Sequence, residues 1–170
     1  MGNVKVISGF LGKYHFLSNF HPSFITIVGI SYRSVEAAYQ ASKTDCINTR
    51  REFANFEPAQ AKRSGKHITL RNGWGDVTKI ECMELCLRAK FMIPELRDRL
   101  ISTDPLELIE TNSWGDQFWG VCNGSGRNVM GKLLMMIRDE IISYEPEEEP
   151  SNIEDNDTVR AFENYEDIPF

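Results

Sequence analysis

The chain has 170 residues, 41% hydrophobic and 26% charged, enough for one packed core and too few for two domains of ordinary size. No stretch approaches the roughly 18 apolar residues of a membrane span, and the opening MGNVKVISGF has no apolar signal region with a small-residue cleavage site. No membrane partner and a cytoplasmic location, or a host's cytoplasm for a phage-encoded chain, are therefore expected. The net charge of −6 divides unevenly: residues 145–170 hold ten acidic side chains against Arg160 alone, which leaves the first 144 residues at +3, with ten Lys and Arg between Lys43 and Lys90. Phosphate-bearing partners are thus admissible despite the acidic total.

In chain order, Val4 to Phe10 alternates weakly, and Phe24 to Tyr32 is β-branched and aromatic, which predicts two short strands or a hairpin. Ser34 is a fitting N-cap for a helix over VEAAYQASKT, with Glu36 in its first turn where a negative charge suits the helix dipole. Helices are predicted for Pro58 to Ser64 and for Lys79 to Phe91, the second with Ile80, Met83, Leu87 and Phe91 as its buried stripe. Pro94 opens another over PELRDRLIST, and Pro105 opens one over PLELIET. The last helix starts near Asn128, with Met130, Leu133, Leu134, Ile137 and Ile141 on one face and its methionines as core filling. The fold class expected is α+β, mainly α, over 1–144. An acidic, Pro-containing tail over 145–170 is expected to be solvated, to fold back over a basic groove, or to dock a protein partner.

Four features carry candidate chemistry. Glu36, Gln40 and Lys43 fall within one arc of the first helix, an arc that periodicity alone reads equally as its wet side. The Glu36 and Lys43 α-carbons would stand ~10 Å apart along the axis, a spacing suited to bracketing a nucleoside-sized ligand. NGSGRNVMG is a Gly/Asn-rich loop entering a helix, which either exposes backbone N–H groups to phosphate or is an ordinary turn; it lacks P-loop order. SWGDQFWG places Trp114 and Trp119 around Asp116, either as a stacking platform beside a carboxylate or as an aromatic corner capped by Asp116. Trp74, in a WGD that recurs over residues 74–76, is a further stacking candidate. Cys46, Cys82, Cys86 and Cys122 are expected to be reduced, packed thiols. Cys82 and Cys86 lack a second Cys/His pair at zinc spacing, and His15, His21 and His67 are scattered, so no metal is assigned.

FLSNFHPSFITIVGISYRSVEAAYQASKT resembles the LSNF…SVEhAYQ..K signature of the NADAR, or YbiA-like, family. The resemblance continues through Trp74, MELCLRAKF, LIET and WGDQFWGVCNGSGRNVMGKLLMMIR, and covers about residues 7 to 143. This sequence departs at Ala37, where His is frequent, and in the bulk following WG in WGDQFWG. The resemblance implies a mostly helical fold with a small β element and N-glycosidase activity without a cofactor. The substrate it implies is ADP-ribosylated guanine in DNA or RNA, or a ribosylaminopyrimidine phosphate of the riboflavin pathway. A non-catalytic module binding ADP-ribose or an NAD derivative is the alternative of another class.

For such a reaction Glu36 and Asp116 are the expected carboxylate pair. Lys43 is expected either to contact phosphate or the leaving base, or to attack the anomeric carbon. Phe20, Trp74 and Trp114 would stack on the base or adenine, and Asn19 would orient ribose hydroxyls, with Gln40 beside it. The loop with Gly126, Asn128 and Gly131 would hold phosphate.

Overall fold

The computed structural model describes residues 5–144, and its helices gather round one short, wholly buried helix. That helix, α1 (Val35–Ala41), starts where the sequence places it: the Ser34 hydroxyl accepts the Ala37 N–H at 3.1 Å. Ala37, Ala38 and Ala41 expose no surface, and their small side chains let α2 (Ile47–Phe53), α3 (Pro58–Ser64) and α4 (Asp76–Phe91) all pack against α1. The helix stops at Ala41, three residues short of Thr44. The Ser42 hydroxyl donates to the Tyr39 carbonyl at 2.7 Å, and the Lys43 carbonyl accepts the Arg71 N–H at 2.7 Å from outside the helix. Lys43 therefore sits on the turn after α1, not on its surface. The arc that could have been a wet face is interior, with Glu36 3% and Gln40 5% exposed.

Among the described residues the β element is made of three pairs. Phe24 to Tyr32 is itself a hairpin, β2 (Ile25–Ile27) with β3 (Ile30–Tyr32), closed by Val28 and Gly29 at φ 47° and 72°, the paired positive values of a two-residue hairpin turn. β1 (Val6–Ser8) does not join it. It pairs in parallel with β4 (Glu107–Ile109), in register Ile7 with Leu108. This overturns the helix expected over PLELIET. Leu108 is fully buried between exposed Glu107 and half-buried Ile109, a period of two that a seven-residue apolar segment does not separate from a helical one. β5 (Thr111–Asn112) then pairs with β6 (Val121–Cys122).

Helix α2 was not legible, because INTRREF is polar; Phe53 is buried and Arg50 Nε donates to the Thr44 carbonyl at 2.7 Å. In α4, Met83, Leu87 and Phe91 form the expected stripe, Ile80 is only partly covered, and Cys82, Cys86 and Lys90 are buried too. α5 (Pro94–Ile101) packs through Leu96 and Leu100. α6 (Val129–Tyr144) packs through Met130, Leu133, Leu134 and Ile137, with Ile141 partly covered. Its buried Arg138 donates to the Thr103 hydroxyl at 3.1 Å and the Leu106 carbonyl at 2.8 Å. No helix among the described residues is long and apolar enough to cross a membrane. The tail, 145–170, with its fold-back and partner alternatives, lies outside the described residues.

Where α6 meets β4, a Cβ added at Gly131 would stand 2.1 Å from the Leu108 carbonyl oxygen. Gly131→Ala should therefore overpack this joint and lower stability by about 1–3 kcal/mol, read as a lower urea midpoint at unchanged slope. An unchanged midpoint would mean the joint is slack.

Candidate active site

The site begins with a carboxylate that has been taken out of water. Glu36 lies in the first turn of α1, and its backbone N–H bonds to the Asn19 carbonyl at 2.9 Å. Its side-chain oxygens are divided between two amides: Asn19 Nδ2 donates to Oε2 in a short contact, and Gln40 Nε2 donates to Oε1 at 2.8 Å. Burial raises the Glu36 pKa, while the Gln40 hydrogen bond and the Lys62 and Lys43 charges oppose that rise. Asn19 reaches Glu36 from a turn in which the His21 N–H bonds to the Ser18 carbonyl at 3.1 Å and the Phe20 N–H to the Ser18 hydroxyl at 3.1 Å. The LSNF motif is therefore a turn that offers an amide to a buried acid.

Cations and rings surround this carboxylate. Lys43 Nζ is 5.5 Å from the Tyr39 ring centre. Burial lowers its pKa, Glu36 resists the shift, and Lys79 and Lys62 add to it. Lys62 Nζ lies 5.4 Å from the Phe20 ring and 5.6 Å from the Trp114 ring, bridging two expected stacking residues from distant parts of the chain. Tyr39 meets Trp74 at 5.9 Å and Trp119 edge-on at 5.6 Å. The early helix and the late tryptophan turn thus meet in one place. Trp114 is 65% exposed and available for stacking, whereas Trp74 is half-buried against the core.

One acid at this cleft escaped the sequence reading. Glu110 follows β4, and its Oε2 is buried with no hydrogen-bond partner among the described residues. Burial, then repulsion from Asp116, pushes its pKa up to about 7, with Lys62 opposing and Glu36 reinforcing the shift. Read as part of a helix, LIET gave Glu110 no distinctive position. As the residue leaving a buried strand, it is aimed into the interior.

Two of the expected site features also make structural contacts. Asp116 Oδ1 accepts the N–H groups of Phe118 at 3.0 Å and Trp119 at 2.9 Å, and the Asp116 backbone is pinned on both sides by the Asn112 side chain. Asp116 is the cap of the tryptophan turn, and its charge reaches the site through its effect on Glu110 and Tyr39. In the Gly/Asn loop, five backbone N–H groups are already partnered. The N–H groups of Ser125, Arg127, Asn128, Val129 and Met130 bond to the carbonyls of Cys122, Gln117, Gly120, Phe118 and Trp119. Gly126 lies against the Gly120 carbonyl, where an added Cβ would come within 2.1 Å, and Gly131 is part of the helix–strand joint. Asn128 instead holds the acid's backbone: its Oδ1 accepts the Glu110 N–H at 3.1 Å and its Nδ2 donates to the Leu108 carbonyl at 2.9 Å. Among the described residues no group of three or more His, Cys, Asp or Glu is placed to hold a metal ion.

The NADAR domain family's model matches residues 9–142. A riboflavin biosynthesis protein of Vibrio vulnificus is 37% identical over 139 residues, 79% of this chain, which spans only 37% of that longer protein. An N-glycosidase of Nostoc punctiforme is 35% identical over 136 residues, 75% of this chain and 86% of that protein. The NMR structure of Escherichia coli YbiA superposes with a TM-score of 0.73 at 31% identity, over 84% of this chain and 88% of that one.

The amide clamp has a close limit. A Cβ at Gly65 would lie 1.9 Å from Gln40 Oε1, an atom that is already buried without a partner. Gly65→Ala should displace Gln40 from Glu36 and cut turnover at least tenfold while far-ultraviolet circular dichroism stays native; full activity in a folded variant would show that the clamp is dispensable.

Proposed function

This chain belongs to the NADAR domain family, and from that premise we propose that its cleft hydrolyses an N-glycosidic bond, removing ADP-ribose from ADP-ribosylated guanine in nucleic acid. The observation that carries the reading is the pairing of Glu36, clamped by two amides beneath Lys43 and Lys62, with Glu110, an acid that keeps its proton up to about pH 7. Two carboxylates whose surroundings set them different tasks are what acid-assisted glycoside cleavage needs. The relative from Nostoc punctiforme is named an N-glycosidase, which is a hydrolase.

Breaking the C1′–N bond sends its electron pair to the base nitrogen and leaves positive charge on the sugar. Glu110 donates its proton to the departing nitrogen, and the Glu36 carboxylate stabilises the cationic carbon. Lys43 stands close enough for its field to be felt at Glu36, and its lowered pKa favours the second of its two roles. Neutral Nζ bonds to C1′, the bond from C1′ to the ring oxygen breaks as that oxygen takes one proton from Nζ, and a protonated imine results. Water then adds to the imine carbon with Glu36 accepting its proton. Glu36 returns that proton to Nζ, the C1′–Nζ bond breaks as the C1′ hydroxyl becomes a carbonyl and gives its proton to Glu36, and the sugar leaves the free lysine amine.

The rim supports a polymeric substrate. Lys62 faces Phe20 and Trp114, Arg71 faces Trp74 at 5.8 Å, and Arg127 and Lys79 face Phe118 at 4.5 and 5.7 Å. Cations interleaved with aromatic faces suit a phosphate backbone carrying bases. A second reading is favoured by the name of the Vibrio vulnificus relative: a ribosylaminopyrimidine phosphate of riboflavin synthesis as substrate.

Incubation with an ADP-ribosylated guanine oligonucleotide should release free ADP-ribose, and borohydride added during turnover should leave a substrate-dependent sugar adduct on Lys43. Release of ribose phosphate from the pyrimidine substrate alone would select the second reading, and binding of either without turnover would select a binding module. The proton held by Glu110 also sets the pH profile. Its raised pKa means the acid is present below about pH 7 and is lost above it, so the rate should fall about tenfold per unit on the alkaline side. Glu110→Gln should lower the rate about 10²–10⁴-fold and abolish that limb. Asp116→Asn, which keeps the capping oxygen, should retain turnover with the limb moved to lower pH. The opposite ranking of these two variants would return the acid's role to Asp116.

A further inference from the structure

Lysine is almost never fully buried without a partner, yet Lys90 on α4 exposes none of its surface. Its Nζ donates to the Ser18 carbonyl at 2.7 Å, across 72 residues of sequence, and lies 5.3 Å from the Phe91 ring centre. Arg99 and His21 also face it electrostatically, with His15 and Glu95 acting on the same His21. A hydrophobic side chain of similar length would fill this space without the cost of desolvating an amine. What the amine adds is a donor for one backbone oxygen.

That oxygen belongs to the turn that builds the site. The Ser18 carbonyl also accepts the His21 N–H, the Ser18 hydroxyl accepts the Phe20 N–H, and between them Asn19 binds Glu36 twice, through its carbonyl and through Nδ2. Lys90, Ser18, Asn19 and Glu36 thus form one continuous chain of hydrogen bonds and adjacent backbone, with the lysine behind the turn and the carboxylate in front of it. We propose that Lys90 is a positioning residue for this site: its buried amine anchors the Ser18 carbonyl so that the Ser18–His21 turn presents Asn19 to Glu36 and Phe20 to the cleft. The amine donates in either protonation state, and burial, with Arg99, pushes its pKa down to about 7, so the anchor does not depend on charge.

The activity consequence rests on the function proposed above, so the test reads the turn itself as well as turnover. In the 15N-labelled full chain, the Asn19 side-chain amide is identified by its loss in Asn19→Ala. Lys90→Met should move that amide to the position of a free one and speed exchange of the Phe20 N–H at least tenfold. On the ADP-ribosylated oligonucleotide it should lower kcat at least tenfold while KM stays within threefold, because Lys62 and Trp114 are untouched. Lys90→Gln, which keeps an N–H donor one bond shorter, should fall between Met and wild type in both readouts, and it supplies the comparison if the Met variant does not fold. A folded variant with the Asn19 amide and kcat at wild-type values, or one that loses only thermal stability, would overturn the proposal. If the wild type turns over neither substrate, the proposed function fails, and the Asn19 amide still decides the role of Lys90.

Discussion

Glu36 places a carboxylate where only 3% of the residue meets solvent, and a charge so placed must be given donors in place of water. Asn19 supplies one from seventeen residues upstream and Gln40 supplies the other from the next turn of the same helix. That requirement organises much of the surrounding chain. The Ser18–His21 turn must dock on the start of α1, α1 must be lined with alanine so that three helices can close over it, and α3 must end on a glycine so that Gln40 keeps its place. Packing and chemistry here are one constraint, because loosening any of these contacts exposes or misaligns the acid.

The second carboxylate differs in its supply of hydrogen bonds. Glu110 has a buried oxygen without a partner and a negative neighbour in Asp116, so its proton is retained to about pH 7. Glu36 has two amide donors and two nearby lysines that resist the effect of burial. Burial raises the pKa of both acids; at Glu36 the Gln40 hydrogen bond and two lysines oppose the rise, while at Glu110 the Asp116 charge adds to it and Lys62 opposes it. Asn128 links this arrangement to the scaffold by holding the Glu110 N–H and the Leu108 carbonyl together where α6 meets β4.

Much of the fold was legible because its signals are local. Ser34 caps α1, Pro58 and Pro94 open α3 and α5, and the apolar stripe of α6 lies in the core. The failures have physical causes. PLELIET is too short for its period to be read, so a strand passed for a helix and hid Glu110. INTRREF carries its one core contact on Phe53 within a polar segment. In the Gly/Asn loop, sequence shows that N–H groups are present but not that carbonyls of Gln117 to Gly120 and of Cys122 accept five of them. Asp116 was visible as a carboxylate beside tryptophan, and the capping contacts of its Oδ1 appear only in the geometry. Lys90 was read as one more basic residue, since burial at that point depends on a carbonyl 72 residues away.

The relation of the two acids to the bond being broken is tested most directly by a crystal structure of Glu36→Gln, the variant that should bind without turning over, soaked with ADP-ribosylated guanosine. Density is expected to place the anomeric carbon between residue 36 and Lys43, within about 3–3.5 Å of Nζ, with the linked base nitrogen against Glu110. A ligand whose anomeric carbon lies away from both carboxylates, on any other face of the molecule, would contradict the assignment of this cleft.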